Sequence, residues 1–532
     1  MPEPMELHSI HTFLFPFEWK PLQKGRAVLE DQTDLKRIIP IMDGAREKWK
    51  RMEPWSKPQK LVQYNEANYF YDFVRPVLYG DKAAKYQVHY QYKGAQGGQY
   101  SIFLTSGEQF HLELDAIGLS FYSTGVGILS FHCYNRTESD SKAILKINQY
   151  GRRLVPPFFG TNPDNVGEQA FFEEAAWESG LTTVQYAELA KSIILRKPDR
   201  SVLALEDFSA FSNGNPDLEA TPGLLKQLFP PLLLSSLSIS PVLDDRMFVV
   251  CWYGNDALSN SIQTRDFNQQ SDDRDWWYQY IFVDGGNKTC QNEAMTAQSL
   301  KDHSNLRWSG YGTLYGVSRY SFVCLTGSLD SLKRNYASYI PTHVQTTYYK
   351  LAELALLQRG CVLRFSDEVT AISDLPDKNP DLGAHVSSLY KQYIRFVNKI
   401  YFREVTAQEQ GIELYDLLQK HMRIENQVKD LDAEIEELHN YVLLLEEDRR
   451  NAKLDILTYI GALFVVPSFV CTYLGLIVPE SLKSPFVLAG FCLVSAMLFL
   501  GVIRSKGFWH RVFLLGALLF TVFTLFLFPF QK

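Results

Sequence analysis

The stretch 413-ELYDLLQKHMRIENQVKDLDAEIEELHNYVLLLEEDRRNAKLDILTYIGALFVVPSFVCTYLGLIV-478 decides the reading of the whole chain. Its first half carries a heptad. Leu414, His421, Val428, Ile435 and Val442 fall at a, and Leu417, Ile424, Leu431, Leu438 and Leu445 fall at d. A 3-4 alternation of this length predicts an amphipathic helix with a coiled-coil-like seam. No Gly or Pro lies between Gly411 and Gly461, so the spacing predicts one unbroken helix. From Ile456 to Val478 the composition turns apolar for 23 residues, enough to cross a bilayer at about 1.5 Å per residue. The expectation is a stalk helix that continues into a transmembrane helix.

Two further apolar runs follow, Phe486 to Ile503 and Val512 to Phe530. Arg449, Arg450 and Lys453 precede the first run, and Arg504, Lys506 and Arg511 separate the second from the third. By the positive-inside rule the large N-terminal part is cytosolic, and the protein is expected in the inner (plasma) membrane as a multi-pass protein. Met1 to Lys20 carries Glu3, Glu6 and Glu18 and has no signal-peptide pattern. The expected domains are 1–384 (ligand-sensing), 385–453 (stalk) and 454–532 (transmembrane).

The 532 residues carry a net charge of -7 and no basic run, which speaks against a nucleic-acid polymer as partner. Seven cysteines form no CxxC pair and no spaced His/Cys cluster, which argues against a disulfide framework and a structural zinc. Ile10 to Phe17 reads as a strand, a polar segment with several turn residues follows to about residue 60, and from Tyr69 to Tyr134 the pattern is β. Tyr86 to Tyr92 and Tyr100 to Leu104 alternate around Gly94, Gly97 and Gly98, and Phe110 to Leu114, Gly118 to Tyr122 and Gly127 to Tyr134 continue a meander. Strand-like runs recur at Phe248 to Tyr253, Tyr278 to Phe282 and Tyr320 to Leu325. Ile147 to Arg153 reads as strand and turn. Phe171 to Ser179, Thr183 to Leu195, His343 to Ser366 and Leu382 to about Gln410 read as helices. The run Leu228 to Val242 contains three prolines and reads as buried core. The fold class expected is an α+β cytosolic domain, antiparallel sheets with helices, joined by the stalk to an α-helical transmembrane domain.

No GxxxxGK[ST], HExxH, GxSxG or EF-hand loop occurs, so no enzyme constellation is found. Gly125-Val-Gly127 reads as a tight turn and Asp284 to Thr289 as a surface turn. Asp244-Asp245-Arg246 reads as an ion-paired corner. On the first apolar helix, Asn451, Leu454, Thr458, Gly461, Val465, Ser468 and Thr472 share one face. Such a face suits helix packing through small residues or the lining of a pore. The stalk between Glu413 and Asp448 holds eleven acidic and three basic residues and would concentrate cations. Asp430 and Asp432 are its candidate metal ligands. Arg152 and Arg153, after Gly151, are candidates for a phosphate-bearing ligand.

Asn451 followed by Leu457-Thr458 resembles the N-x5-L-T motif of the CorA family of cation channels. Phe464, Phe469 and Ser468 keep pore positions of that family, and Pro479-Glu480 is similar to its outer loop. Gly475-Leu476-Ile477 stands where the family has Gly-Met-Asn, so a branched alkane replaces the carboxamide that holds hydrated magnesium. The resemblance implies a homopentamer in a lipid bilayer and, for this divergent branch, a ligand-gated ion channel of antiviral, CRISPR-type defence. A nucleotide second messenger such as an S-adenosylmethionine–AMP conjugate would open it and compromise the membrane. The alternatives are a constitutive Mg2+ transporter and a non-conducting membrane-anchored scaffold.

Overall fold

A computed structural model describes residues 6–22, 35–53, 61–81, 83–155, 189–208, 222–244, 246–376, 379 and 381–477. It divides into two compact units, Met1–Pro376 with Ala384–Leu438, and Asp377–Gly383 with His439–Lys532. The division falls at Leu438, earlier than the 453/454 boundary read from composition.

The first unit is built on one mixed sheet of 13 strands. These are β1 (Ser9–Pro21), β2 (Trp49–Arg51), β3 (Gln87–Tyr92), β4 (Gly98–Leu104), β5 (Gln109–Tyr122), β6 (Val126–Asn135), β7 (Ala190–Arg196), β8 (Val202–Asp207), β9 (Leu237–Pro241), β10 (Phe248–Gly254), β11 (Ser304–Asn305), β12 (Leu314–Val317) and β13 (Ser321–Thr326). The order β11-β12-β13-β10-β1-β6-β5-β4-β7-β8 forms the main path. β1 is buried on both faces from Ser9 to Trp19, as its nearly continuous apolar run requires. One edge of β1 is shared. Ser9 to Leu14 pair with β10 and Phe17 to Pro21 with β9. Pro16, which has no N–H to give, falls at the changeover. β5 forks in the same way. Its first half pairs with β4 and its second with β3, and the register to β6 shifts between Leu114 and Ala116.

The meander from β3 to β6 matches the alternation, with 110–114 and 118–122 fused into one bulged strand. The antiparallel expectation is corrected by β10 and β13, which pair in parallel. Their long connection carries α-helices, which is what a parallel pair needs and what an aromatic run hid. Tyr278 to Phe282, expected as a strand, belongs to the helix Asp272–Phe282. Ser271 caps it through the Arg274 N–H, and three acids fill its first turn. Likewise Ile147 to Gly151 closes a helix, α1 (Ser141–Gly151), capped by Asp140. Of Thr183 to Leu195, the described part from Ala190 is β7; Phe171 to Ser179 lies outside the described residues.

The helix α2 (Tyr349–Ser373) packs on β1 and β6. After α3 (Leu382–Lys399) the chain enters α4 (Glu409–Met422) and α5 (Ile424–Ile477). The expected unbroken stalk is therefore interrupted. Arg423 lies between these helices in the left-handed region, φ 56°. The break is visible in the buried set, which runs Leu414, Leu418, Met422 and then restarts at Ile424, Val428, Leu431 and Ile435. That seam is covered in part from within the chain, since the Tyr393 hydroxyl on α3 donates to the Val428 carbonyl at 3.3 Å. In the second unit, Arg449 reaches the Asn379 carbonyl at 3.4 Å.

Among the described residues no helix is long and apolar enough to cross a membrane. This corrects the expected transmembrane domain and, with it, the multi-pass placement in an inner membrane. The expectation rested on the apolar composition of Ile456 to Val478. The side chains described at that end of α5 reach only to Leu457 and include the exposed Asn451, Lys453 and Asp455. The runs Phe486 to Ile503 and Val512 to Phe530 lie outside the described residues.

Candidate functional site

The end of α1 positions Arg152 and Arg153. Gly151 is required there, because a Cβ would come within 2.7 Å of Phe13 Cζ and 2.9 Å of Ile102 Cδ1. The Tyr100 hydroxyl donates to the Gly151 carbonyl at 2.6 Å and fixes the last turn. Arg152 then caps the helix, and its carbonyl accepts from Met247 N–H at 2.8 Å. An isolated antiparallel bridge joins Arg153 to Arg246. Three guanidinium-bearing residues are thereby brought to one place just before β10.

Tyr320, at the start of β13, forms the aromatic floor. The guanidinium of Arg246 lies 5.1 Å from its ring centroid and that of Arg152 lies 5.8 Å from it. Both distances are in the cation–π range. Arg246 is spoken for by Asp244, which accepts from Nε at 2.9 Å and from Nη2 at 2.6 Å. This is the ion-paired corner expected from the sequence. Arg152 is different. It is 3 % exposed, and Nη2 makes a long bond of 3.4 Å to the Val283 carbonyl. Among the described residues its Nε and Nη1 have no partner. Burial first, then Arg246 and Arg153, push its pKa down to about 9, so it remains a cation at neutral pH. A buried guanidinium with two unpaired nitrogens is costly unless something accepts from them. Asp284 is nearby, but burial holds its carboxyl above the usual range, and it already accepts from the Thr289 hydroxyl at 2.6 Å.

The floor connects onward. Arg319, next to Tyr320, donates through Nε to the His421 carbonyl at 3.4 Å, and its own carbonyl accepts from Arg359 Nη1 on α2 at 2.9 Å. His421 is in the last turn of α4, two residues before the left-handed Arg423. Its ring stacks on His303 with centroids 3.6 Å apart, and burial together with His303 pushes its pKa down to about 4.

Of the other residues singled out in the sequence, Asp430 and Asp432 are exposed on α5 at a spacing of two, which turns their carboxylates to different sides. Among the described residues no group of three or more His, Cys, Asp or Glu could hold a metal ion. Asn451 and Leu454 lie on α5, and both are exposed. Thr458, Gly461, Val465, Ser468, Thr472, Gly475, Leu476 and Ile477 follow on the same helix, their side chains outside the described set. The sequence singled out Arg152 and Arg153 but missed Tyr320 and the part Arg246 plays. No spacing rule could have supplied them, because the registers of β10 and β13 bring them together. No family model, curated protein or solved structure matches the chain.

Proposed function

We propose that the chain is a non-enzymatic, ligand-responsive effector in which the mixed-sheet unit binds a phosphate-bearing small molecule and the break at Arg423 responds to it. The observation that carries this reading is Arg152. Its buried Nε and Nη1 have no partner among the described residues, and they sit beside Arg153 and Arg246 over the Tyr320 ring. A phosphoryl oxygen placed there would accept two charge-assisted bonds, the geometry that guanidinium serves best. An aromatic floor suits a base or a second guanidinium equally. The nucleotide class, with an S-adenosylmethionine–AMP conjugate as its example, comes from the resemblance to the CorA family.

The path to the helices is short. Arg152 and Arg246 rest on Tyr320, Arg319 holds the end of α4, and Arg423 follows. A ligand that binds one setting of Tyr320 and Arg319 better than another biases the α4–α5 junction by that difference in affinity. The reading requires no ion conduction; it requires only that occupancy at the arginines change the junction.

The test is calorimetry on the full chain with inorganic phosphate, ATP and an S-adenosylmethionine–AMP conjugate, paired with hydrogen exchange over residues 419–426. Saturable binding of a nucleotide, lost in Arg152→Met, with altered exchange at the junction is the expected result. Binding that survives Arg152→Met, or no binding by any of the three, overturns the site. Binding without a change in exchange overturns the coupling.

A further inference from the structure

A polar cavity lies in the first unit, lined by none of the arginines of the cluster. Its volume is about 190 Å3. The strand pair β2/β3, the helices Leu61–Tyr69 and Arg75–Tyr79, and α2 supply its walls. Leu78 and Val88 give it an apolar side, and Glu66, Tyr79, Gln87, His89 and Lys350 give it a polar one.

The polar groups do not balance. Lys350 Nζ is held by Glu353 at 2.6 Å, and Glu353 is itself 1 % exposed. Arg51 at the rim is within 3.6 Å of Asp43. Both cations of the lining therefore already have a carboxylate. Glu66, which meets Thr346 and lies within Coulombic reach of Lys350, is a third carboxylate facing the cavity, with Glu53 and Asp81 also on the lining. Burial raises the Glu66 carboxyl above its ordinary range, against the opposing pull of Thr346 and Lys350. Gln87 is 2 % exposed. Its amide nitrogen donates to Ser120 Oγ at 3.3 Å and to the Tyr122 hydroxyl at 3.4 Å, which fixes the carboxamide. Among the described residues its Oε1 accepts from nothing. A buried carbonyl oxygen without a donor is rare in a finished fold and points to a ligand that brings one. His89 adds no charge, because burial and Lys350 push its pKa down to about 3, and its Nδ1 meets Ser120 Oγ at 2.9 Å.

We infer that this cavity binds a small organic cation of the primary-amine or guanidinium class. The ligand N–H groups donate to Gln87 Oε1 and to the Glu66 carboxylate, and the face of Tyr79, which already attracts Lys350 Nζ at 5.7 Å, lies against the charge. A cation the size of putrescine or agmatine fits the volume. The inference is independent of the arginine site, since no residue is shared.

Calorimetry on the full chain at about pH 7.5 tests it, with putrescine and agmatine as probes and 1,4-butanediol and succinate as their uncharged and anionic counterparts. The expected result is saturable binding of at least one amine, weakened roughly tenfold or more by Glu66→Gln and several-fold by Gln87→Leu, with neither counterpart binding comparably. Glu66 is only half-buried, so Glu66→Gln decides the matter even if Gln87→Leu fails to fold. Equal binding of the diol, preferential binding of succinate, silence from both amines, or amine affinity indifferent to Glu66→Gln would each overturn the inference.

Discussion

The arginine cluster and the Glu66 cavity are complementary errors of polar bookkeeping. At the first, donors are left over: Arg152 Nε and Nη1 are unused among the described residues while Asp244 is committed to Arg246. At the second, an acceptor is left over: Gln87 Oε1 is unused among the described residues while Lys350 is held by Glu353. Elsewhere buried polar groups mostly meet one another within the fold, although Asn148 Nδ2 is also left over among the described residues. His11, fully buried, meets Ser9 Oγ and Asn148 Oδ1 at 2.8 Å each, and Asn135 donates to the same Ser9 oxygen. On the two proposals above, leftover donors call for an anion and a leftover acceptor for a cation, so the sign of the leftover atoms sets the charge of what each would take.

The largest effect should come from Arg152→Met. Nucleotide affinity should fall by about 100-fold, roughly 3 kcal/mol, while the melting temperature of the free protein stays or rises, because an under-paired buried charge has been removed. A free protein destabilised by several degrees would show instead that Arg152 is satisfied within the fold, and the contrast between the two sites would collapse.

Next in size is Gly151→Ala. The added methyl group has to displace Phe13 or Ile102, at a cost of about 1–3 kcal/mol in chemical denaturation. It should weaken nucleotide binding and leave amine binding alone. Loss of both would mean that the two sites share a common support.

Acidification sharpens the comparison through Glu66. Its raised pKa means that the folded state favours the protonated acid, so its contribution to stability is present below the unfolded value and is lost as pH rises through the folded one. A cation needs the carboxylate. Amine affinity measured by calorimetry should therefore fall, by about tenfold per pH unit at most, as pH drops through that raised value. Guanidinium at Arg152 stays charged throughout that range, so anion binding should follow only the ligand's own titration.

The smallest effect is expected at the junction. A non-glycine residue held at positive φ costs about 1 kcal/mol, so Arg423→Gly should stabilise the fold by up to that amount. If the arginines act on the junction, the same substitution shifts nucleotide affinity and spares amine affinity. Equal indifference at both sites would break the proposed path.

Much of the sheet was legible because its strands announce themselves locally. β3 and β4 alternate, β10 is a continuous apolar run, β1 carries the apolar core Phe13 to Phe17, and Gly125 with φ 78° closes the turn between β5 and β6. Two helices were hidden by composition. The Trp276-Trp277-Tyr278 run carries β propensity, and only the preceding Ser271 cap and its acids betray the helix. The break at Arg423 has no Gly or Pro to mark it; the signal is the two-residue step from Met422 to Ile424 in the apolar pattern, which a continuous heptad smooths over. At the sites, Arg152 was readable as a residue type following Gly151. Its meaning was not, because whether a guanidinium is paired depends on Tyr320, Arg246 and Val283, which local sequence does not place.

The divided edge of β1 also bears on how the chain is made. Ser9 to Leu14 have as partners β6, over a hundred residues later, and β10, about twice as far. At a synthesis rate of about 5–20 residues per second, the strand leaves the ribosome tens of seconds or so before β10 exists. During that interval Phe13-Leu14-Phe15 sits beside an unoccupied row of backbone groups, the arrangement that templates mispairing between nascent chains. Pro16, at the changeover between partners, shortens that row by one donor. Slow, late closure of the sheet by β10 is thus written into the order of the strands, and a nascent-chain chaperone acting on the first hundred residues would have the most to protect.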